Sequence, residues 1–232
     1  MFGILLDRYL TENFVKPNAQ PVDTIVHVLD HPLVHHAMAE LRAASTTVPK
    51  FRQRARELAK YLILEATRDL PTEEVEIETP IGKTVGRTLR DRPIIIAPIL
   101  RAGLAMVEPA MELLPEAEVR HIGLYRDEET KQPVSYYIKL PERYPPESYV
   151  LIIDPMLATG GSAVATVNLF KERGVTKIKF LCLIASPEGV QNMRNEHPDV
   201  PIYTVSIDEK LNSNGYIVPG LGDAGDRAFG TY

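Results

Sequence analysis

The sequence predicts an α/β fold, a mostly parallel open sheet with helices on both faces, and three observations carry that prediction. The runs Pro93–Leu100, Val150–Asp154 and Lys177–Ile184 are too continuously apolar for half-exposed strands and read as strands buried on both sides. From residue 93 onward such runs alternate with segments of helical spacing, the order of parallel strands joined by crossover helices. A short turn of small and hydroxyl residues, Ala158-Thr159-Gly160-Gly161-Ser162, joins one of these strands to a helix, where open sheets of this kind bind ligands.

Composition sets the outer bounds. A chain of 232 residues suits one domain with a small appendage, and apolar and charged fractions of 44% and 25% are those of a soluble globular protein. No apolar run reaches the ~20 residues that span a bilayer. Met1–Arg8 has an apolar patch too short for a secretory signal and no basic region before it, so a cytoplasmic location is expected. A net charge of −5 offers no general attraction to nucleic acid or to a membrane surface, which leaves phosphate binding to local features. The single Cys182 lies in an apolar strand, has no internal disulfide partner and reads as a small core residue.

Taken in order, residues 1–30 show mixed polarity, Pro17 and Pro21 and no sustained period, and read as an N-terminal arm. Residues 31–232 then form one domain. Leu33, Ala37, Met38 and Leu41 recur at helical spacing, and so do Phe51, Ala55, Leu58, Ala59, Leu62, Ile63 and Ala66, which predicts two amphipathic helices. His27, His31, His35 and His36 cluster here, and His31 with His35 has metal-ligand spacing. Asp30-His31-Pro32 precedes the helix, however, and no acidic residue lies between the two histidines, which disfavours a metal site. Lys50, Arg52, Arg54 and Arg56 make a basic helix face, either simply solvated or open to an effector phosphate or a subunit contact.

Alternation at Val75, Ile77 and Thr79, then Ile81-Gly82-Lys83 and Val85, predicts a hairpin over Val75–Leu89. Arg101 directly follows the strand Pro93–Leu100 and opens the next helix, so it stands at the sheet's carboxyl end as a surface arginine or as a bidentate phosphate ligand. Val119–Tyr125 and Val134–Leu140 predict strands flanking the charged loop Arg126–Pro133. After a Pro-rich turn, the strand ending at Asp154 leads through the small-residue turn into a helix marked by Ala163, Val167 and Phe170. Unpaired N–H groups at that helix start, with glycines that admit close approach, form an anion cradle. Lys177–Ile184, Pro187–Asn195 and Ile202–Ile207 complete the sheet as strand, helix and strand. The tail Asn214–Thr231 holds five glycines yet keeps Tyr216, Ile217, Val218, Leu221 and Phe229, enough apolar surface to pack; disorder and a main-chain site for a flat ligand are both open on composition.

The string Val150–Ser162 resembles the phosphoribosyl pyrophosphate (PRPP) loop of the type I phosphoribosyltransferases, and it lacks the Gly-Lys-Ser/Thr ending of a Walker loop. That family usually carries two adjacent acidic residues where this chain has Asp154-Pro155, a departure shared by its uracil phosphoribosyltransferase branch. Asp30–Val34, Pro98–Gly103, Tyr125–Thr130 and Gly215–Thr231 are also similar to that branch, in the same order.

The resemblance implies a type I phosphoribosyltransferase fold with a uracil-binding hood over residues 207–232 and a β-hairpin arm. It implies transfer of the phosphoribosyl group of PRPP to N1 of uracil, giving UMP and diphosphate in pyrimidine salvage. Arg101, Arg126 and Asp223 would be the catalytic residues, with the arginines on the leaving diphosphate. PRPP would bind at these three and at Asp154, Pro155, Met156, Leu157, Ala158, Thr159, Gly160, Gly161 and Ser162. Uracil would meet Tyr216, Ile217, Gly222, Asp223 and Ala224. Mg²⁺ is the implied cofactor, held mainly by PRPP with no direct protein ligand. A homo-oligomer, dimer or tetramer, and GTP as an activator complete the implied partners, with no nucleic acid and no membrane. Two rivals stand beside this reading. A phosphoribosyltransferase for a purine or orotate is disfavoured by the missing acidic pair, and a regulator that binds RNA or an effector nucleotide on this fold is disfavoured by the acidic balance.

Overall fold

The computed structural model describes residues 26–126 and 133–231. Its main sheet has the order β1-β11-β10-β8-β4-β6-β7, with two short strands, β5 and β9, set against β4 and β10. In chain order the strands are β1 (Val26–Val28), β2 (Thr72–Glu78), β3 (Lys83–Leu89), β4 (Ile94–Leu100), β5 (Glu118–Val119), β6 (Ile122–Arg126), β7 (Pro133–Ile138), β8 (Tyr149–Ile153), β9 (Met156–Leu157), β10 (Lys177–Ala185), β11 (Ile202–Ile207), β12 (Lys210–Leu211) and β13 (Ile217–Val218). The helices are α1 (Pro32–Arg42), α2 (Val48–Ala66), α3 (Val107–Leu113), α4 (Gly161–Lys171), α5 (Pro187–Glu196) and α6 (Ala224–Phe229). Every pairing in the main sheet is parallel except β6 with β7, as the alternation of strands and helices requires.

Strand alternation sends neighbouring residues to opposite layers. Ile96, Leu151, Ile153, Leu181 and Leu183 pack with α1, α2, α3 and α6, while Ile95, Val150, Ile152, Phe180 and Cys182 pack with α4 and α5. Each fully buried side chain of this size contributes about 1.5–3 kcal/mol, against about 0–1 for an exposed ion pair, so these two apolar layers carry the fold. Cys182 lies in the second layer, and burial pushes its thiol up to about 12, in keeping with a core role.

Topology places the site. The connection from β4 leads to β5 and β6 on one side, and that from β8 leads to β10 on the other. The winding therefore reverses between the adjacent strands β4 and β8, which opens a crevice at their carboxyl ends.

Four details differ from the sequence reading. Residues 26–28, where the sequence showed no sustained period, form an edge strand, paired Val26 to Ile202; residues 1–25 of the expected arm lie outside the described residues. The strand was hidden because it is short; beside its backbone pairing, His27 stacks on Tyr203 with centroids 4.4 Å apart. The segment after Arg101 begins as a 3-10 turn, Ala102–Met106, before α3. The strand expected over Val119–Tyr125 is divided into β5 and β6, each pairing separately with β4. Finally, the glycine-rich tail contains a regular element, α6, capped by Asp223.

The hairpin β2–β3 forms its own two-stranded sheet and exposes Val75, Ile77, Ile81 and Val85. The histidine cluster is structural: His31 Nδ1 accepts from the Leu33 N–H at 3.1 Å and caps α1, and His35 pairs with Asp30. On the basic face, Arg54 pairs with Glu40 and Glu57, Arg56 with Glu108 and Glu112, and Lys50 with Glu40. Among the described residues no helix is long and apolar enough to cross a membrane.

Candidate active site

β4 and β8 pair in parallel with Pro98 opposite Ile153, so Arg101 and Asp154 leave the sheet side by side at the crevice. Gly103 lets the turn after Arg101 close onto β8, since a Cβ there would stand 2.7 Å from the Ile153 carbonyl. The Asp154 N–H still donates to the Leu181 carbonyl at 3.1 Å, which anchors the residue to the sheet. Its carboxylate accepts from the Met156 N–H at 3.3 Å. Burial, helped by the nearby charge of Asp223, outweighs that bond and pushes the carboxyl up to about 7. Asp154 and Asp223 thus share one field although they come from different ends of the chain.

The turn after Asp154 is braced from one side. The Pro155 carbonyl accepts from the Leu183 and Ile184 N–H groups, and the Leu157 carbonyl from the Ser186 N–H. Ser186 Oγ donates to the Ala158 carbonyl at 2.5 Å and Asn192 Nδ2 to the Thr159 carbonyl at 2.9 Å. β10 and α5 therefore occupy the carbonyls of the turn. Gly189 of α5 lies so close beneath it that a Cβ would stand 2.3 Å from the Ala158 carbonyl.

At the head of α4 the first helical bond runs from the Val164 N–H to the Gly160 carbonyl, 2.9 Å long. The N–H groups of Gly161, Ser162 and Ala163 precede it and have no partner within the helix, the backbone arrangement in which a helix start can receive an anion. The two glycines have different reasons. Gly160 has φ 82° and packs on Asn192 and Gly189, so the fold itself requires it. A Cβ on Gly161 would meet only Thr159 Oγ1, at 3.9 Å, so the fold leaves open space there that a ligand can use.

The C-terminal segment, expected from the sequence as a hood, returns to the end of β4. β12 and β13 pair Lys210 with Val218 and Leu211 with Ile217, and the chain then turns through Pro219, Gly220, Leu221 and Gly222 into α6. Asp223 caps that helix, its Oδ1 accepting from the Asp226 N–H at 2.9 Å. Asp226 in turn accepts from Arg101 Nη2 at 3.2 Å, which ties the end of β4 to the hood. With the Arg101 side chain 59% exposed, that pair is worth about 0–1 kcal/mol.

The structure thus gathers Arg101, Asp154, residues 155–162 and Asp223 around the carboxyl end of β4 and β8. Ile217, Gly222 and Ala224 share the hood turn with Asp223, and Tyr216 is half exposed at its start. β6 ends at Arg126 beside β4, at the same end of the sheet. The Arg126 side chain and the loop 127–132 lie outside the described residues. Ser186, Gly189, Asn192, Arg42 and Asp208 were absent from the sequence reading. One signal was available for the first group: glycine within a helix costs about 1 kcal/mol relative to alanine, so Gly189 called for a packing reason.

For Mg²⁺, the test is the donor set. Among the described residues no group of three His, Cys, Asp or Glu side chains is arranged around an ion. Asp154 and Asp223 are close enough to influence each other across the crevice, which suits a hard cation that brings its remaining oxygens from a phosphate ligand and water.

Comparison with known proteins follows the same line. A family model described as uracil phosphoribosyltransferase matches residues 28–231. The uracil phosphoribosyltransferase of Dictyoglomus turgidum is 54% identical over 207 residues, covering 89% of this chain and 100% of that protein. That of Streptococcus salivarius is 54% identical over 204 residues, covering 88% and 97%. The structure of the AQ2163 protein from Aquifex aeolicus superimposes with a TM-score of 0.82 at 38% identity, over 89% of this chain and 99% of that one. The adenine phosphoribosyltransferase of Leishmania donovani, at 14% identity and a TM-score of 0.56 over 82% and 86% of the two chains, shares the fold.

Proposed function

Because the chain belongs to the uracil phosphoribosyltransferase family, we propose that Arg101, Asp154, the turn 155–162 and the hood carry out its reaction, in which uracil and PRPP give UMP and diphosphate. The observation that supports this assignment best is the open space at Gly161, in an N–H cradle beside Asp154 and Arg101 at the reversal of the sheet.

In this reading the N–H groups of Gly161, Ser162 and Ala163 receive the 5′-phosphate, with the Thr159 and Ser162 hydroxyls as further donors. Asp154 accepts from the ribose hydroxyls, and Arg101 exchanges Asp226 for the diphosphate. The family resemblance assigns Arg126, at the end of β6, to the same diphosphate. As the bond from the anomeric carbon to the diphosphate breaks, positive charge develops at that carbon and negative charge on the leaving group, so positioning and charge compensation supply the catalysis. Uracil N1 then bonds to the anomeric carbon from the other face and releases its proton to solvent as the diphosphate leaves. Mg²⁺ bound with PRPP supplies charge neutralisation at the diphosphate, and Asp223 is the residue that would contact it, directly or through water.

Uracil presents acceptor, donor and acceptor along O2, N3 and O4, and main-chain groups of Ile217, Gly222 and Ala224 read that pattern beside Tyr216 and Asp223. Cytosine would leave buried polar groups unpaired at the same positions. Glycines and apolar residues therefore carry the base specificity.

The reading extends to a cytoplasmic homo-oligomer, supported by the apolar side chains exposed on the β2–β3 hairpin. It extends also to GTP as an activator, supported by a cavity of about 730 Å³ lined by Arg52, Arg56 and Lys60 together with Leu104 and Phe229. Turnover of labelled uracil with PRPP and Mg²⁺, with cytosine, hypoxanthine and orotate in parallel and GTP present or absent, tests the reading. UMP from uracil alone supports it, and product from a purine or from orotate instead would overturn it. Sedimentation of the same preparation measures the oligomer.

A further inference from the structure

Asp208, directly after β11, is the most buried carboxylate close to the hood, with its side chain 2% exposed. Its Oδ1 accepts from Arg42 Nη2 at 2.5 Å and from Ser206 Oγ at 2.8 Å. Its Oδ2 accepts from Arg42 Nη1 at 2.7 Å and from the Gly220 N–H at 2.8 Å. Arg42 Nη1 also donates to the Gly220 carbonyl at 2.7 Å. One residue of the hood is therefore held by both its N–H and its C=O, by a bidentate pair reaching from α1 and from the end of β11.

Gly220 cannot hold itself. Its φ of 65° is left-handed, and a Cβ would stand 2.0 Å from the Ile217 carbonyl, so Gly220 itself has no side chain with which to pack, although Ile217 and Leu221 on either side of it are buried in the core. Just beyond it, Arg227 Nη1 donates to the Leu221 carbonyl at 2.8 Å. Two successive residues before Gly222 are thus fixed by side chains from outside the turn. A buried ion pair adds little net stability compared with apolar packing, so stability alone is a poor reason to keep one here. Fixing a main chain to within a few tenths of an ångström is a better one, because the hydrogen bonds that discriminate a base are steep in distance and angle.

We propose that the Arg42–Asp208 pair is a positioning device for the base, setting the main chain from Gly220 to Ala224 in register with the ring edge of uracil. The proposal rests on the reading of the hood as the uracil site. It predicts a separation between the two substrates, since the PRPP turn is braced by different residues, Ser186, Gly189 and Asn192, on the other layer of the sheet.

The test compares Asp208→Asn, which keeps the shape and removes the charge, with Arg42→Lys, which keeps the charge and removes the fork. KM for uracil, KM for PRPP, kcat, the cytosine-to-uracil ratio and Tm are measured for each and for the parent protein. The expected result is a KM for uracil raised about tenfold or more, the effect of one lost charge-assisted hydrogen bond, with KM for PRPP within about twofold of the parent. Ser206→Ala, which removes a single bond from Asp208, should shift KM for uracil in the same direction by less, and serves if the other variants fail to fold. A lower Tm with both KM values unchanged, or both KM values raised together, would overturn the proposal. Failure of the parent protein to use uracil would instead count against the reading of the hood, so the two failures are distinguishable.

Discussion

Asn192 donates from Nδ2 to the Thr159 carbonyl at 2.9 Å, and the same amide would lie 3.0 Å from a Cβ placed on Gly160. The side chain holds the turn Ala158–Ser162 on one side and leaves room only for a glycine on the other. Asn192→Ala should raise KM for PRPP by about three- to tenfold while leaving KM for uracil near its parent value, as expected for one neutral hydrogen bond to a positioning carbonyl. Steady-state kinetics with each substrate varied in turn checks it. Equal shifts in both constants would count against the separation of the two braces.

Gly161→Ala isolates the ligand's claim on the cradle. The fold offers a Cβ there ordinary van der Waals space, and alanine is the better helix former, so Tm should stay level or rise. PRPP, approaching the same N–H groups, meets the new methyl, and its affinity should fall at least tenfold. Thermal melts with and without PRPP read both effects, and unchanged PRPP affinity would remove the cradle from the site.

Asp154 makes stability depend on pH. Its folded pKa, about 7, lies above the ordinary carboxylate value, so the folded state keeps a proton that the unfolded state releases. Stability then falls as pH rises from about 4 to about 7, and the full cost is present above that window. Asp154→Asn should therefore gain on the order of 2 kcal/mol at pH 8 and nothing at pH 4, with turnover sharply reduced. Denaturant melts at the two pH values measure it; a gain that is equal at both would show that the Asp154 charge is not its source.

Lys179 offers a contrast at the opposite end of the sheet. Its ammonium donates to the Ala66 carbonyl and to Asp69, both at 2.7 Å, and lies 5.3 Å and 5.2 Å from the rings of Tyr149 and Tyr203. Lys179→Met leaves the end of α2 and Asp69 without this donor and should cost about 2–4 kcal/mol. Because the cluster sits at the amino end of β8, KM for both substrates should be unchanged at temperatures where the variant is folded.

Arg101 should matter only when substrate is present. Arg101→Ala removes a half-exposed pair with Asp226, so the change in Tm should stay below about 1 kcal/mol in equivalent stability. Its role at the diphosphate predicts a loss of kcat of a hundredfold or more. Near-normal turnover would remove that role from Arg101.

Much of the fold was legible because it rests on local regularities. The apolar runs of β4, β8 and β10 announced strands buried on both faces, and the spacing of Phe51, Ala55, Leu58 and Leu62 announced α2. β1 escaped because it is only three residues long, paired along the sheet edge with β11, and too short to show a sustained period of its own. α6 escaped because Gly225 and the preceding glycines mask its single turn of apolar residues. For the candidate site, the composition of the turn Ala158–Ser162 already specified a strand-to-helix turn with exposed N–H groups, since small residues at a helix start leave those groups accessible whatever the surroundings.

The sequence by itself determined the parallel α/β architecture, the small-residue turn at the head of α4 and the apolar, glycine-rich character of the C-terminal segment. These follow from periodicity and from backbone chemistry, which neighbouring residues control. Only the tertiary structure decided that Asp154 and Asp223 share one field, that Asn192 underlies Gly160, and that Arg42 grips Asp208 and Gly220. Arg42 and Asp208 are 166 residues apart. Contacts at such separation leave no period or motif in the chain, because they form only when the packing of α1 on the sheet brings the two groups together out of water.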